Sequence, residues 1–329
     1  MKHGRAHPHR NLAASILAAI LFAHAAAGEA EWNLSRMADR APDLQGTWTN
    51  ATITGLERPD GIEALVLTPE EAQRIEGQTE AFFDAIDEVP EGDLPAGEDV
   101  GGYNTFWMDA GSRLAVVDGE IRSSLIVEPE DGKIPYSWRG KASLAKQYWR
   151  LRNADDPESR LLGERCLVGF GSTGGPPMLP VLYNNHYQIV QSPGFVMILV
   201  EMNHNARMIR IGGEHLPPSI RPWLGDSVGH WDGDTLVVET TNFHPGQSFR
   251  ASIRHRIYMS KDATVVERFT RVGEHEIRYQ FEVDDPSVFK QIWKGEIPFL
   301  EADGQIYEYA CHEGNYSLTN ILAGARAED

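Results

Sequence analysis

The chain has 329 residues and a formal net charge of −18 at pH 7, with 48 acidic against 30 basic side chains. So large an acidic excess disfavours a nucleic acid or another polyanion as a partner. The length and the 41% hydrophobic content are sufficient for a real core in one large domain or two small ones.

The first 27 residues have the three-part pattern of a secretory signal peptide. The basic segment MKHGRAHPHR precedes an apolar stretch from Leu12 to Ala27, and Ala25-x-Ala27 offers a cleavage site. A transmembrane anchor is the alternative, but the apolar core is short, whereas about 20 strongly apolar residues are needed to span a bilayer. We therefore expect a periplasmic or secreted protein without stable membrane insertion after cleavage.

Residues 28–180 predict few regular elements. The sequence DLQGTWTN is strand-like, and TPEEAQRIEGQTEAFFDAID predicts a helix that Thr68 caps in a capping box with Glu71. The sequence RLAVVDGEIRSSLIVEP predicts a hairpin with Asp118-Gly119 in its turn. A second helix is predicted over Ala142 to Leu151.

From Tyr183 onward, short apolar strands alternate with turn signals, two of which are Pro193-Gly194 and Asp232-Gly233. The predicted strands are YQIVQS, FVMILVEM, RMIRIGG, GHWDGDTLVVETTNF, RHRIYMS, TVVERFTRV, EIRYQFEV, QIWKGEIPF and IYEYACH. So many consecutive strands predict a mainly β protein, an antiparallel meander curled into a barrel or a strongly bent sheet, with a few peripheral helices. We expect residues 28–329 to form a single domain, in which residues 28–180 wrap a main meander of residues 181–329.

Cys166 and Cys311 are the only cysteines. An even pair in an exported chain predicts a disulfide bond. Two buried free thiols are the alternative.

Candidate site residues gather first at the end of the strand FVMILV. Glu201 ends this strand, and Arg207 and Arg210 lie on the next one, so we expect Glu201 to pair with one of the two guanidinium groups. His204 in the turn and Asn185, just before a strand, are candidates for binding a substrate. A structural ion pair and ordinary turn residues are the alternatives.

The densest polar segment is YACHEGNYSL near the C-terminus. His312 suits general acid–base catalysis, with Glu313 or Glu201 as its partner. Asn315 and Tyr316 are candidates for binding a ligand oxygen. The alternative is a set of polar groups that closes the edge of a sheet.

No known motif predicts a cofactor. The sequence GFGSTG matches a dinucleotide-binding string but is not followed by a helix, and P-loop, zinc-helix and EF-hand signatures are absent. We therefore expect no cofactor and no metal, although ligands on different strands, such as His204 and His312, need no fixed spacing.

Long segments, among them SVGHWDGDTLVVETTNF and YEYACHEGNYSLTNILAGAR, resemble a widespread family of exported bacterial proteins with a C-terminal CHEGNY motif. This resemblance implies export but no particular reaction. More distantly, Gly46 and Trp48 fill the G-x-W positions of lipocalin-type calycin barrels, although a long insertion follows here. That similarity implies a calycin-like barrel.

Two functional hypotheses follow. The first is a periplasmic enzyme of the lyase, hydratase or isomerase type that acts on a small, partly apolar or aromatic molecule, with Arg207 and Asn185 stabilising negative charge on the substrate. The second is a non-catalytic carrier for a small apolar ligand. An accessory protein whose polar residues are only structural is a third possibility.

Overall fold

The computed structural model describes residues 32–87, 108–154, 156–170, 172–247, 249–252 and 255–327. The predicted signal peptide, residues 1–27, lies outside these ranges. Residues Leu34–Asp329 form one structural unit, to which the helices and strands of the described ranges belong. Within the described ranges, no helix is both long enough and apolar enough to cross a membrane.

Three α-helices and fourteen β-strands lie in the described part of the chain. The helices are α1 (Pro69–Asp87), α2 (Trp138–Arg150) and α3 (Tyr316–Ala327). The strands are β1 (Gly46–Thr49), β2 (Val116–Val117), β3 (Glu120–Ile121), β4 (Ile126–Glu128), β5 (His186–Ser192), β6 (Phe195–Val200), β7 (Ala206–Ile211), β8 (Asp226–Asp232), β9 (Thr235–Thr241), β10 (Phe249–Ser252), β11 (His255–Tyr258), β12 (Thr264–Gly273), β13 (Glu276–Asp284) and β14 (Trp293–Glu301).

Nine strands close into a barrel in the order β1-β5-β6-β7-β8-β9-β12-β13-β14, with β14 pairing back to β1. The seam is short, because only Trp48↔Glu301 and Thr49↔Leu300 pair across it. β4 adds to β14 outside the barrel. Neighbouring barrel strands are antiparallel except for β7 and β8, which are parallel. The predicted meander and barrel are therefore confirmed, and the architecture is consistent with a calycin-like fold.

The barrel interior is filled by side chains that alternate along the strands. On β13, the buried residues Ile277, Tyr279, Phe281 and Val283 point to the same side. Aromatic rings from several strands pack there, and the centroids of Tyr279 and Phe299 lie 5.0 Å apart. The interior is thus a core and not an open ligand channel.

A charged group is nevertheless buried inside the barrel. The Arg207 guanidinium donates to both carboxylate oxygens of Glu267, at 3.0 and 2.6 Å, and the Tyr279 hydroxyl donates to the same carboxylate at 2.7 Å. Arg250 lies close by and donates to the carbonyl oxygens of Gly175 and Pro176. Burial lowers the pKa of Arg250 to about 10.

The predicted Trp48 of β1 lies inside this core. Its side chain is 1% exposed, and its indole nitrogen donates to the carbonyl oxygen of Leu44 at 3.0 Å. The guanidinium of Arg271 lies 5.3 Å from the centre of the Trp48 ring. The strand-like DLQGTWTN therefore supplies one wall of the barrel, which confirms that prediction.

The helices begin where their capping groups lie. The Thr68 hydroxyl accepts from the Glu71 amide at 3.2 Å, and the Glu71 carboxylate accepts from the Thr68 amide at 2.9 Å, so the predicted capping box is confirmed. The second helix begins four residues earlier than predicted, at Trp138, because Ser137 caps it by accepting from the Gly140 amide at 3.1 Å.

Candidate functional site

A cavity of about 550 Å³ lies beside one end of the barrel. α1 forms part of its wall, and loops together with the hairpin of β10 and β11 form the rest. The lining residues are Ile53, Thr79, Phe82, Phe83, Ile86, Met108, Ala110, Leu161, Leu162, Gly163, Val168, Gly169, Phe170, Val181, Leu182, Tyr183, Met202, Gln247, Ser252 and Arg256. Most of them are aliphatic or aromatic, so the wall favours an apolar ligand.

Most of the polar groups on this wall are already occupied by the protein. Thr79 donates to the Ile75 carbonyl oxygen at 3.0 Å, and Ser252 donates to the Pro180 carbonyl oxygen at 3.1 Å. The Gln247 side-chain oxygen accepts from a backbone amide at 2.7 Å. These contacts hold the wall together.

A pair of tyrosines lies at this wall: Tyr183 lines the cavity, and its partner Tyr309 lines a neighbouring, smaller cavity. The hydroxyl groups of Tyr183 and Tyr309 are hydrogen-bonded to each other, and burial raises the pKa of both, that of Tyr309 to about 12. Both phenols therefore stay neutral at physiological pH. Tyr183 thus offers a ligand a hydroxyl contact without introducing a charge.

An acid–base cluster lies near the cavity, where β5 begins and β6 ends. His186 Nδ1 lies 3.0 Å from an oxygen of Glu201 and 3.7 Å from an oxygen of Asp109. The Glu201 side chain is almost fully buried, whereas those of His186 and Asp109 are partly exposed. One imidazole is thus held against two carboxylates.

The pKa directions in this cluster follow from its geometry. The hydrogen bond to Glu201 is the main cause that raises the pKa of His186. The pKa of Glu201 is lowered, because hydrogen bonds from His186 and from the Tyr307 amide outweigh the opposing effect of burial. Burial raises the pKa of Asp109. The arrangement therefore favours a charged imidazole beside a charged Glu201.

Chemically, the cluster resembles the orienting half of a general acid–base site. Because Glu201 binds Nδ1 of His186, Nε2 is the ring nitrogen that can exchange a proton with a ligand. None of the three side chains lines the cavity, but their neighbours do. Met108 and Ala110 flank Asp109, and Met202 follows Glu201.

From the sequence, His186 was only a possible ligand contact beside Asn185 and was not placed in an acid–base pair, and Asp109 was not singled out, although one signal for pairing His186 with Glu201 was present. A two-residue turn at Pro193-Gly194 pairs Ser192 with Phe195. Counting outward from this pair places His186 opposite Glu201. The position of Asp109 cannot be counted from a strand register, because Asp109 lies in a loop. The backbone amide of Asp109 donates to the Leu182 carbonyl oxygen at 2.8 Å.

The expected pairing of Glu201 with an arginine is wrong. Arg207 faces Ile198 across the β6–β7 hairpin and binds Glu267 inside the barrel, while Arg210 binds Asp226 at 2.7 Å. The hairpin connection is longer than two or three residues, since Leu199 pairs with Ala206. Glu201 therefore lies in the connection between β6 and β7 and does not face either arginine across the hairpin.

Asn185, a predicted substrate-binding residue, is completely buried. Its amide group donates to the carbonyl oxygens of Asp109 and Val181, both at 2.7 Å, and accepts from the Val181 amide at 2.9 Å. Asn185 thus holds the Asp109 loop against the start of β5. In this structure it positions the acid–base cluster, and its predicted role in substrate binding stays a prediction.

The C-terminal motif lies in a turn and not in a strand. The predicted strand IYEYACH is wrong, because residues 305–310 carry no regular structure and residues 311–314 form a turn before α3. His312 and Glu313 are exposed, and no hydrogen bond or ion pair among the described residues joins either side chain to Glu201. Their predicted catalytic roles remain predictions.

Two other residues of the motif attach the C-terminal segment to the rest of the protein. Cys311 forms the predicted disulfide bond with Cys166, with an S–S distance of 2.02 Å. The Asn315 side chain donates to the Glu164 carbonyl oxygen at 2.7 Å and accepts from the Leu318 amide in α3 at 3.3 Å. These contacts fasten the C-terminal segment to the cavity wall.

The same segment covers Glu201. The Tyr307 amide donates to Glu201 at 3.2 Å, and Nε2 of His204 lies 3.2 Å from the Tyr307 carbonyl oxygen. His204 therefore contacts the backbone, while the Tyr316 side chain is exposed. A second cavity of about 400 Å³ lies between this segment and residues 163–170, lined in part by Cys311 and Asn315.

Among the described residues, no group of three or more histidine, cysteine or acidic side chains is placed to hold a metal ion. Comparison of the chain with protein families, with curated proteins and with solved structures finds no significant match. The geometry of the cavity and its neighbouring cluster is therefore the basis for a functional assignment.

Proposed function

We propose that the protein binds a small, largely apolar molecule in the cavity beside the barrel. One observation carries this proposal: the cavity holds about 550 Å³ behind a mostly apolar wall. Cavities that bind small organic molecules span about 300–1,000 Å³ and have this mixture of apolar walls and a few polar groups.

The polar groups of the wall narrow the class of ligand. The neutral hydroxyl of Tyr183, which lies on the wall beside Tyr309, suits a hydroxyl or carbonyl oxygen. Arg256, whose guanidinium lies over the Tyr148 ring, places a positive charge on the wall. Among the described residues of the wall, Arg256 is the single cation, which does not favour a polyanion.

A second candidate is an enzyme of the lyase, hydratase or isomerase type that acts on the same ligand. The observation in its favour is the His186–Glu201 hydrogen bond at 3.0 Å, next to the cavity wall. In this proposal Nε2 of His186 accepts or donates the proton, and Glu201 keeps the ring in place. Turnover would then depend on His186 more than on His312.

We also propose that the protein works outside the cytoplasm. The Cys166–Cys311 disulfide supports this location, because such bonds persist mainly in oxidising compartments. Mass spectrometry of protein recovered from the periplasm tests it. A mature chain that begins at residue 28 is the expected result, and an intact N-terminus in a cytoplasmic fraction would contradict the proposal.

Ligand binding is tested by native mass spectrometry beside a denatured sample, and by titration with the apolar fluorophore N-phenyl-1-naphthylamine. Ala110→Phe should weaken binding of the fluorophore at least about tenfold, because the ring occupies the cavity that Ala110 lines. Ala206→Phe is the matched control, since Ala206 is exposed on β7 and lies off the cavity. Equal affinity in both variants would place the fluorophore elsewhere and contradict the proposal.

His186→Gln separates the two candidates, because the substitution leaves the cavity wall intact. A ligand identified by mass spectrometry is incubated with the wild type and with this variant. Unchanged ligand in both reactions supports a carrier. Conversion by the wild type that is lost in the variant supports the enzyme.

A further inference from the structure

α2 differs in charge from the rest of the chain. Its 13 residues include Arg139, Lys141, Lys146 and Arg150 and no acidic residue, although the whole chain carries a net charge of −18. Among the described residues, none of these four side chains forms an ion pair. The helix is therefore a local cationic surface on an acidic protein.

The outward side of α2 is apolar and carries two exposed tryptophans. At 100° per residue, Trp138, Ala142, Ala145 and Trp149 fall within about 60° of each other, and we call this stripe the docking face. Trp138 is 74% exposed and Trp149 is 75% exposed. Both alanines between them are also exposed.

The opposite side of α2 holds the helix against the protein. Gly140 is buried, Leu144 and Gln147 are partly buried, and the Ser137 cap fixes the first turn. The docking face therefore points away from the core. The helix rise of about 1.5 Å per residue places its two tryptophans roughly 16 Å apart along the axis.

Basic side chains flank the docking face on both sides. By the same helical angles, Arg139, Lys146 and Arg150 follow one flank and Lys141 the other. One of these cations already contacts a ring, since the Arg139 guanidinium lies 5.3 Å from the centre of the Trp138 ring. Apolar aromatic residues between rows of cations are the pattern of helices that lie in the interface of anionic membranes.

We propose that α2 docks this protein on the surface of an anionic phospholipid membrane. The indole rings of Trp138 and Trp149 enter the interface between headgroups and acyl chains, which tryptophan favours. The four cations bind the phosphate groups around them. The helix lies on the membrane and does not cross it.

Charge complementarity favours an anionic membrane as the partner of the docking face. The remainder of the chain carries a large acidic excess and is repelled by an anionic surface, so the orientation with α2 facing the lipid is strongly favoured. A soluble polyanion would engage the cations but would give the two exposed indoles no apolar environment.

The docking helix adjoins the ligand cavity. Arg256 lines the cavity, and its guanidinium lies 5.1 Å from the centre of the Tyr148 ring on α2. A membrane-docked protein would thus hold its cavity close to the lipid surface, where apolar molecules concentrate. This proximity suits the proposed ligand class, but membrane docking does not depend on it.

Sedimentation with vesicles tests the proposal on the full mature chain with its disulfide intact. One set of vesicles is pure phosphatidylcholine, and the other is an equimolar mixture of phosphatidylcholine and phosphatidylglycerol. We expect binding to the mixed vesicles that weakens as salt rises, and little binding to pure phosphatidylcholine. Absence of binding to the mixed vesicles, or equal binding to both sets, would overturn the proposal.

Paired variants separate the two parts of the docking face. Trp138→Ala with Trp149→Ala should lower the partition coefficient about tenfold or more, because two large rings lose their apolar burial. Tyr307→Ala with Tyr316→Ala is the matched control, since these aromatic side chains are equally exposed outside α2. Wild-type binding by the tryptophan variant would refute the docking face.

The cations are tested in the same way. Lys141→Gln with Lys146→Gln should lower binding to the mixed vesicles roughly 25-fold, because each cation contributes about fivefold. The control is Lys133→Gln with Lys261→Gln, which removes the same charge from lysines paired with Asp60 and Asp262. Equal losses in both variants would show that net charge alone acts and would overturn the assignment to α2.

Circular dichroism and thermal unfolding confirm that each variant is folded, which the exposure of the substituted side chains leads us to expect. Size-exclusion chromatography with light scattering identifies a second copy as the occupant. A dimer that the tryptophan variant dissociates would assign the docking face to self-association and overturn membrane docking.

Discussion

The buried pair of Arg207 and Glu267 permits a quantitative test of the barrel interior. Both side chains are at most 3% exposed, and their two hydrogen bonds measure 2.6 and 3.0 Å. Removing one member of such a pair leaves a buried charge without its partner, which costs about 3–5 kcal/mol in free energy of unfolding. Arg207→Met and Glu267→Gln should therefore each be strongly destabilising.

The two single variants should not be equal. Glu267→Gln leaves Arg207 and the buried Arg250 together without the carboxylate that compensates them, and the charge of Arg207 already lowers the pKa of Arg250. Arg207→Met leaves Glu267 with the Tyr279 hydroxyl and the charge of Arg250. We expect Glu267→Gln to lie near 5 kcal/mol and Arg207→Met near 3 kcal/mol, at the two ends of the range of about 3–5 kcal/mol.

Equilibrium unfolding in urea measures these values. The double variant should be more stable than the sum of the single losses predicts, by about 2–3 kcal/mol, since the two residues interact directly. Arg36→Met is the control, because the exposed pair of Arg36 and Asp234 should contribute at most about 1 kcal/mol. If Glu267→Gln lowers the free energy of unfolding no more than this control does, the pair is not desolvated. If Arg207→Met lowers it more than Glu267→Gln does, the role assigned to Arg250 is refuted.

Three further predictions concern other parts of the fold. Replacing Cys166 and Cys311 by Ser should lower the free energy of unfolding in urea by up to about 5 kcal/mol, because the bridge closes a loop with a sequence separation of 145 residues; an unchanged midpoint would contradict this. The pKa of His186 is raised by its bond to Glu201, so the stabilisation it provides is complete below about pH 6.5 and is lost as pH rises through the higher folded value. The stability difference between the wild type and His186→Asn should thus shrink on going from pH 6 towards alkaline pH, and a growing difference would refute the ion pair. In an exposed helix, a Gly→Ala substitution raises the free energy of unfolding by about 0.5–1 kcal/mol. Gly140→Ala should instead lower the melting temperature, because the new methyl group would overlap a backbone carbonyl oxygen.

Local patterns predicted the strands well and the contacts between distant segments poorly. The turns at Pro193-Gly194 and Asp232-Gly233 and the alternation along β12 and β13 are local signals, and the strands lie where these signals predict. The closure of the barrel by β1 and β14 joins residues about 250 positions apart. No periodicity records such a pairing, so the choice between a barrel and a bent sheet required the structure.

The candidate site shows the same division. Glu201 was found because it ends an apolar strand, and its true partner His186 follows from the hairpin register. The density of polar residues around His312 was interpreted as a catalytic acid–base site. In the structure, Asn315 and Cys311 of that motif hold the chain in place, and adjacency in the sequence cannot distinguish these two uses.

The short seam between β1 and β14 also has a consequence for biosynthesis. β14 ends at Glu301, so a growing chain exposes the free edges of β1 and β13 until β14 has been made. Unpaired edges of this kind recruit strands from other molecules, and long-range closure is slow. A nascent chain that stalls before β14 is therefore expected to aggregate, and this fold would benefit from a chaperone that shields open strand edges until the barrel closes.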